Sequence, residues 1–394
     1  MKGLGRYLGI CVLLLVSWQD RTEIGQRLSG LLTYMDNNGA EKKVRTVEDW
    51  QTKRSQVLSR MQEVMGVLPD TSGLGIPAVD IVTREPRAGY TLFTIRYQAA
   101  PDEWVPAFLY VPTTGSPGER RPAMLVLHST GDLGKRIVDG EGTLQNRAYA
   151  KELAERGYVV IAPDYPAFGD RMDYNFSTDR YDSGTMKGVF DHMRAVDVLV
   201  SRGDVDPSKI GVIGHSLGGH NAIFVGSFDK RLRVVVSSCG WTLFDHYDIG
   251  ERGTKAYGGK LGPWAQDLYM PLLRQQYDLE PARVPFDFDE AIAAIAPRAF
   301  YSNSPIGDQN FDNNGVKIGI ARVAEVYRFL DAKPNLRVRY PDAAHDFPYE
   351  VRMEAYTFID RILNTNMEAK LRCMDEGNDS YILGNFNTTE NFLL

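Results

Sequence analysis

The hexapeptide Gly214-His215-Ser216-Leu217-Gly218-Gly219 constrains this chain more than any other stretch. It follows the apolar run 209–213, and Gly218-Gly219-His220-Asn221-Ala222-Ile223 opens a helix behind it. A strand, a turn and a helix that meet at Gly-x-Ser-x-Gly form a very tight corner, and the central residue sits in strained backbone. The residues two before and two after the serine must be tiny, or their side chains strike the adjoining strand and helix. Such a corner lifts one hydroxyl into a cleft and aims a helix N-terminus at it, a favourable place for negative charge. The competing reading is a plain glycine-rich turn around a buried serine.

The rest of the body alternates strand and helix. Strands are expected at 91–97, 105–111, 123–128, 158–162, 209–213, 233–237, 298–301 and 336–340. Pro106 marks the second as an edge strand or falls at its beginning. The run 123–128 is continuously apolar, as a strand covered on both faces should be. Helices are expected at 144–156, 186–201 and 348–363. The pattern predicts an α/β fold with a doubly wound, eight-stranded, mostly parallel sheet and right-handed crossovers. Ligands in such sheets bind beyond the carboxyl ends of the strands.

The candidate chemical groups fall at those ends. Ser216 needs a base, because a serine hydroxyl is a weak nucleophile at neutral pH. Of six histidines, His345 lies between the last strand and the last helix, where it can reach a serine at such a corner. His215 packs behind the site, His128 organises the loop after its strand, and His192, His220 and His246 are helix or wall residues. An acid must orient the imidazole. Asp308, in the loop after 298–301, is the choice, and Asp312 is its competitor. Two backbone N–H groups must hold an oxyanion. Leu217 supplies one, and the loop Leu127-His128-Ser129-Thr130-Gly131-Asp132 the other, with Thr130 chosen and Ser129 next.

These residues carry a resemblance. The stretch Asp206-Pro207-Ser208-Lys209-Ile210-Gly211-Val212-Ile213-Gly214-His215-Ser216-Leu217-Gly218-Gly219, then Ala296-Pro297-Arg298 and His345-Asp346-Phe347, is similar to the α/β-hydrolase superfamily. The branch is the one holding dienelactone-hydrolase-like proteins, acetyl-xylan-esterase-like enzymes and prolyl-oligopeptidase catalytic domains. Similarity covers residues 89–365, and the lead-in with Trp50 and Gly66-Val67-Leu68-Pro69 resembles the segment preceding the domain in the acetyl-xylan-esterase-like group. The resemblance implies Ser216 as nucleophile, Asp308 as acid and His345 as base. Two departures stand out. The oxyanion loop reads His-Ser-Thr-Gly rather than His-Gly-Gly, and the nucleophile is serine where dienelactone hydrolases use cysteine.

The expected reaction is ester hydrolysis through an acyl-enzyme, with a carbohydrate acetyl or related small-acyl ester as the expected substrate. A serine peptidase acting on short peptides and a non-catalytic binding module are the alternatives. Selectivity is expected from the loop 163–176, with Tyr165 and Phe168, and from a lid-like insertion at 241–289, with Trp241, Trp264, Tyr269 and Tyr277. Aromatic rings there suit a sugar face or an aromatic acyl group, or simply pack the lid onto the body. Asp164 braces its turn. No His-x-x-x-His spacing indicates a metal and no Gly-x-Gly-x-x-Gly after a strand indicates a nucleotide, so no cofactor is expected.

The 394 residues are 43% hydrophobic and 24% charged, enough for a large core. A net charge of −6 gives no electrostatic reason to bind nucleic acid. Lys2 and Arg6 precede an apolar stretch ending at Trp18, which reads as a signal peptide over 1–18, with a retained membrane anchor as the alternative. A secreted or periplasmic location follows. Three cysteines give little support for disulfides: Cys11 lies in the signal, Cys239 reads as a small core residue near the site, and Cys373 is incidental. Sequons at Asn175, Asn378 and Asn387 are patterns short enough to arise by chance. Residues 19–88 read as a helical extension, with Leu28, Leu31 and Leu32 on one face and Trp50, Val57, Met61 and Val64 on another. The hydrolase-like domain spans 89–365, and 366–394 is a polar tail. The sequence does not specify the oligomeric state.

Overall fold

The computed structural model describes residues 30–363 apart from residue 117. The expected signal segment 1–18, Cys11, the tail 366–394, Cys373 and two of the sequons lie outside the described residues. Among the described residues no helix is long and apolar enough to cross a membrane.

Continuous apolar runs place parallel strands at the centre. β6 (Arg121–Leu127) pairs in parallel with β7 (Val159–Pro163) on one side and β8 (Val205–His215) on the other. β9 (Leu232–Ser238), β10 (Ala299–Asn303) and β11 (Leu336–Arg339) continue outward in parallel. Beyond β7 the sheet turns antiparallel through β5 (Glu103–Pro112), β4 (Tyr90–Ala100) and β3 (Val79–Arg87). All eight expected strands are present, and β3 makes a ninth. β5 lies inside the sheet, and Pro106 falls just before its pairing with β7 begins at Ala107.

The period of two in each strand builds two cores. Ala123, Leu125, Leu127, Val159 and Ile161 face one, while Met124, Val126, Val160 and Ala162 face the other. Helices α3 (Gly184–Ser201), α4 (Leu217–Phe228) and α8 (Asn313–Phe329) cover the first face. Helices α2 (Tyr149–Glu155) and α9 (Tyr349–Leu363) cover the second. The chain leaves β6 toward β7 and returns to β8 on the opposite side. That reversal opens a crevice at the carboxyl end of β6.

The extension is only partly helical. Residues 33–43 form a ribbon of β1 (Thr33–Met35) and β2 (Glu41–Lys43), where the sequence predicts helix. Asp36 Oδ1 accepts from the amides of Asn38 and Ala40 and closes the turn. The second expected face is helical, as α1 (Val47–Met65), opened by a capping box between Thr46 and Asp49. It packs on α7 (Phe288–Ala293), with Lys53 Nζ 3.0 Å from Glu290 Oε1 and Arg54 Nε donating to Ala294 O at 2.8 Å. Between β9 and β10 lie α5 (Gly250–Tyr257) and α6 (Leu272–Tyr277), within the expected insertion.

Candidate active site

Ser216 joins β8 to α4 with φ 57° and ψ −116°, backbone that side chains adopt only under constraint. Its amide donates to Ser238 O at 2.8 Å. A Cβ on Gly214 would lie 2.2 Å from Gly218 O, and one on Gly218 would lie 2.1 Å from Leu127 O. Both contacts are with backbone that cannot yield, so the two flanking glycines are obligatory.

Ser216 Oγ lies 2.9 Å from His345 Nε2, and His345 Nδ1 lies 3.0 Å from each oxygen of Asp308. The Asp308 side chain is 1% exposed, and its Oδ1 accepts from the amides of Asn310 at 2.8 Å and Phe311 at 3.2 Å. The carboxylate is therefore held before it meets the ring. Asp312 instead caps α8 through the Asn314 amide at 2.9 Å and lies 3.3 Å from His246 Nδ1. The structure brings together Ser216, Asp308 and His345, and leaves Asp312 out.

The loop bearing His345 is clamped by the residues that lead into α2. Arg147 donates to Asp346 Oδ1 at 2.6 Å and to His345 O at 3.2 Å, and Asn146 donates to Asp346 Oδ2 at 2.7 Å. Burial pushes the Asp346 carboxyl up, but the hydrogen bonds from Arg147 and Asn146 outweigh it and leave the group below the usual carboxylate range. Cys239, at φ 48°, donates its thiol to Asp346 O at 3.2 Å. His215 packs beneath, its ring 5.0 Å from that of His345 and its Nδ1 2.9 Å from Ser238 Oγ. Burial, then the positive charge of Arg147, push its imidazole well below the ordinary value.

The loop after β6 is organised by His128. Its Nε2 accepts from the Tyr165 amide at 3.0 Å, which leaves Nδ1–H to donate to Ser129 O at 2.7 Å. Asp164 braces the neighbouring turn by accepting from the Lys135 amide at 2.7 Å, the Lys135 Nζ at 2.6 Å and the Asp170 amide at 3.0 Å. The buried Lys135 was not legible as a partner, because nothing in its sequence neighbourhood pairs it with a residue 29 positions on.

A cleft of about 190 Å³ opens over Ser216. Thr130 and Leu217, the expected oxyanion residues, line it. So do His220, Trp264 and Tyr269, together with Tyr247, Pro263, Gln266, Asn310 and Phe311. Three residues expected to bind substrate do not line it. Trp241 is 1% exposed, packs over Gly319 of α8 and donates Nε1 to Ser302 Oγ at 3.0 Å. Tyr165 is buried and ties down the insertion by donating its hydroxyl to Leu268 O at 2.7 Å. Phe168 is half-buried against the rings of His128 and Tyr165. Their aromatic character gave no sign of burial, and their nearness to strand ends suited a cleft wall equally well. Tyr277, from the same insertion, is also core.

Cys239, Asp308 and His345 offer ligand atoms within 4.8 Å of one another. Burial pushes the Cys239 thiol well up, away from the thiolate that a metal needs. The Asp308 and His345 atoms are already hydrogen-bonded to each other.

Known proteins share the fold that carries this site. Residues 140–357 match the model of the alpha/beta hydrolase family. The chain is 28% identical over 320 residues to "Putative hydrolase YtaP" of Bacillus subtilis (strain 168), covering 79% of this chain and 100% of that protein. It is 27% identical over 139 residues to carbohydrate esterase MZ0003 of an unknown prokaryotic organism, covering 34% of this chain and 31% of that protein. A glucuronoyl esterase from Solibacter usitatus shares the fold with a TM-score of 0.64 at 19% identity, covering 86% of this chain and 98% of that one.

Proposed function

The chain belongs to the alpha/beta hydrolase family, and on that premise we propose that it is a serine ester hydrolase working through an acyl-enzyme. One observation carries the reading: the hydrogen-bonded line from Ser216 Oγ through His345 to Asp308. His345 Nε2 takes the hydroxyl proton as Oγ attacks the ester carbonyl carbon. Asp308 accepts from Nδ1–H, fixes the tautomer and stabilises the imidazolium. The Leu217 amide and a second from Thr130 hold the oxyanion, with Ser129 as the neighbouring donor. The carbonyl–alkoxy bond then breaks, and the alcohol leaves with the proton from His345. Water gives a proton to His345 and attacks the acyl carbonyl. The carboxylic acid departs and Ser216 regains its proton.

The substrate is an uncharged ester of modest size, of the kind a small acyl group makes with a carbohydrate hydroxyl. Support comes from a cleft of about 190 Å³ with no Asp, Glu, Lys or Arg among its described lining residues. Such a cleft offers a peptide ammonium no counter-charge. The likeness to a protein named a carbohydrate esterase points the same way. The basic and apolar start of the chain, Lys2 and Arg6 before the run to Trp18, supports export. Sequencing the N-terminus of the mature protein tests that part.

The decisive experiment is hydrolysis of p-nitrophenyl acetate by wild type and Ser216→Ala, with fluorophosphonate labelling alongside. Wild type should turn over the ester and take one label. Ser216→Ala should lose about 10³-fold or more in kcat and stay unlabelled. Equal turnover by the two proteins would refute the reading.

A further inference from the structure

His220 lies one helical turn beyond Ser216 on α4 and lines the same cleft. It is 3% exposed, and neither ring nitrogen has a hydrogen-bond partner among the described residues. Trp264, on the short turn Gly262–Ala265 of the insertion, stands against it with ring centroids 4.9 Å apart and planes at 65°. Trp264 Nε1 is also unpartnered. Tyr269 completes the wall, its ring 5.7 Å from the imidazole.

A packed core histidine is the plain alternative. Core histidines satisfy at least one nitrogen, because a buried polar atom without a partner is destabilising. Here two nitrogens of one ring and one of its neighbour are orphaned together, at the wall of the reactive cleft. A Phe or Leu would fill the same space at less expense. Local rules are broken where function requires it. Burial pushes the His220 imidazole down to about 3, so at neutral pH it carries one N–H donor and one bare acceptor nitrogen. The Trp264 indole adds a second donor. Hydroxyl groups, which both donate and accept, complement that set.

We infer that His220 and Trp264 form a specificity subsite for an uncharged, hydroxylated ring of the ester substrate. The inference rests on the hydrolase reading above and deepens it. The orphaned nitrogens are themselves covered, the imidazole and indole lying against each other. A ring entering the cleft reaches this pair through a small separation of the two side chains, both of which line it. No charged side chain is needed to hold it, and a carboxylate on the ring would find no cation among the described lining residues.

The test compares kcat/KM on an acetylated methyl xyloside with kcat/KM on p-nitrophenyl acetate, which lacks a hydroxylated ring. In His220→Phe the ratio of xyloside to p-nitrophenyl ester should fall by about tenfold, mainly through KM. Any fall beyond threefold supports the subsite, and a smaller one overturns it. His220→Gln, which keeps a donor and an acceptor, should restore part of the ratio. Should His220→Phe not fold, the wild type alone decides. It should favour the neutral xyloside at least tenfold over an acetylated pyranoside bearing a free carboxylate, and equal turnover overturns the subsite. Turnover of p-nitrophenyl acetate with none of the xyloside also overturns it, while the hydrolase reading stands. A wild type inert to every ester and to fluorophosphonate overturns both.

Discussion

Asp308 and Asp312 sit four residues apart in one loop, yet their surroundings give them different work. Asp308 is buried, fixed by two backbone amides and faces His345, whereas Asp312 faces the first turn of α8. Asp308→Asn should therefore lower kcat by about three to four orders of magnitude with little change in KM, since an amide supports the wrong tautomer. Asp312→Ala should leave kcat within a few-fold and cost about 1 kcal/mol through the lost cap. Steady-state kinetics and urea unfolding of the two variants separate these outcomes. The sequence pointed to Asp308 from chain order and loop position, and the hydrogen-bonded line fits that choice. It did not locate Trp241, Tyr165 and Phe168 correctly. An aromatic residue near a strand end fits a cleft wall and a core equally, and the deciding neighbours, Ser302, Gly319 and Leu268, are remote in sequence.

At the level of elements, the loop between β11 and α9 depends on contacts reaching back about two hundred positions. Arg147 and Asn146 precede α2 and hold Asp346, while Arg352 of α9 bonds Glu152 of α2 at 2.7 Å and Phe347 O at 2.8 Å. Arg147→Ala removes both the Asp346 and His345 carbonyl contacts and frees the ring to drift from Ser216. Misplacement by about 1 Å can lower rates about a hundredfold. We expect kcat to fall ten- to a hundredfold with KM nearly constant; an unchanged kcat would show that Asn146 and Cys239 hold the loop without Arg147. The two β elements missing from the sequence reading have physical reasons too. β3 is nearly all exposed and pairs on one edge only, so neither face shows the alternation that reveals a half-buried strand. The ribbon at 33–43 was obscured by leucines at helical spacing, although Asn38-Gly39 is a hairpin signal.

Across the whole molecule, parallel topology brings together groups 129 positions apart in the chain, because β8, β10 and β11 all end on one side. That convergence was legible, since order and spacing of strands suffice for it. The same compactness makes the fold sensitive to acid. His128, His192, His215 and His220 are buried, and burial lowers the imidazole of each, His192 and His220 to about 3. An unfolded histidine titrates near 6.5, so between the two values the unfolded chain binds more protons than the folded one. Stability contributed by keeping these rings neutral is therefore complete above about pH 6.5 and lost as pH falls toward the folded values. For His192 and His220 the slope approaches about 1.4 kcal/mol per pH unit each. These two rings together, over the three or so units between about 6.5 and about 3, account for a cost comparable to the roughly 5–15 kcal/mol of a typical domain, and His128 and His215 act in the same direction. Urea midpoints should drop steeply from pH 6.5 to 4.5. His192→Gln, which removes one titrating ring, should flatten the slope by about 1.4 kcal/mol per unit while lowering stability at neutral pH. Midpoints constant down to pH 4.5 would mean that these histidines gain protons without unfolding, and that the core around Tyr165 and Trp264 admits water.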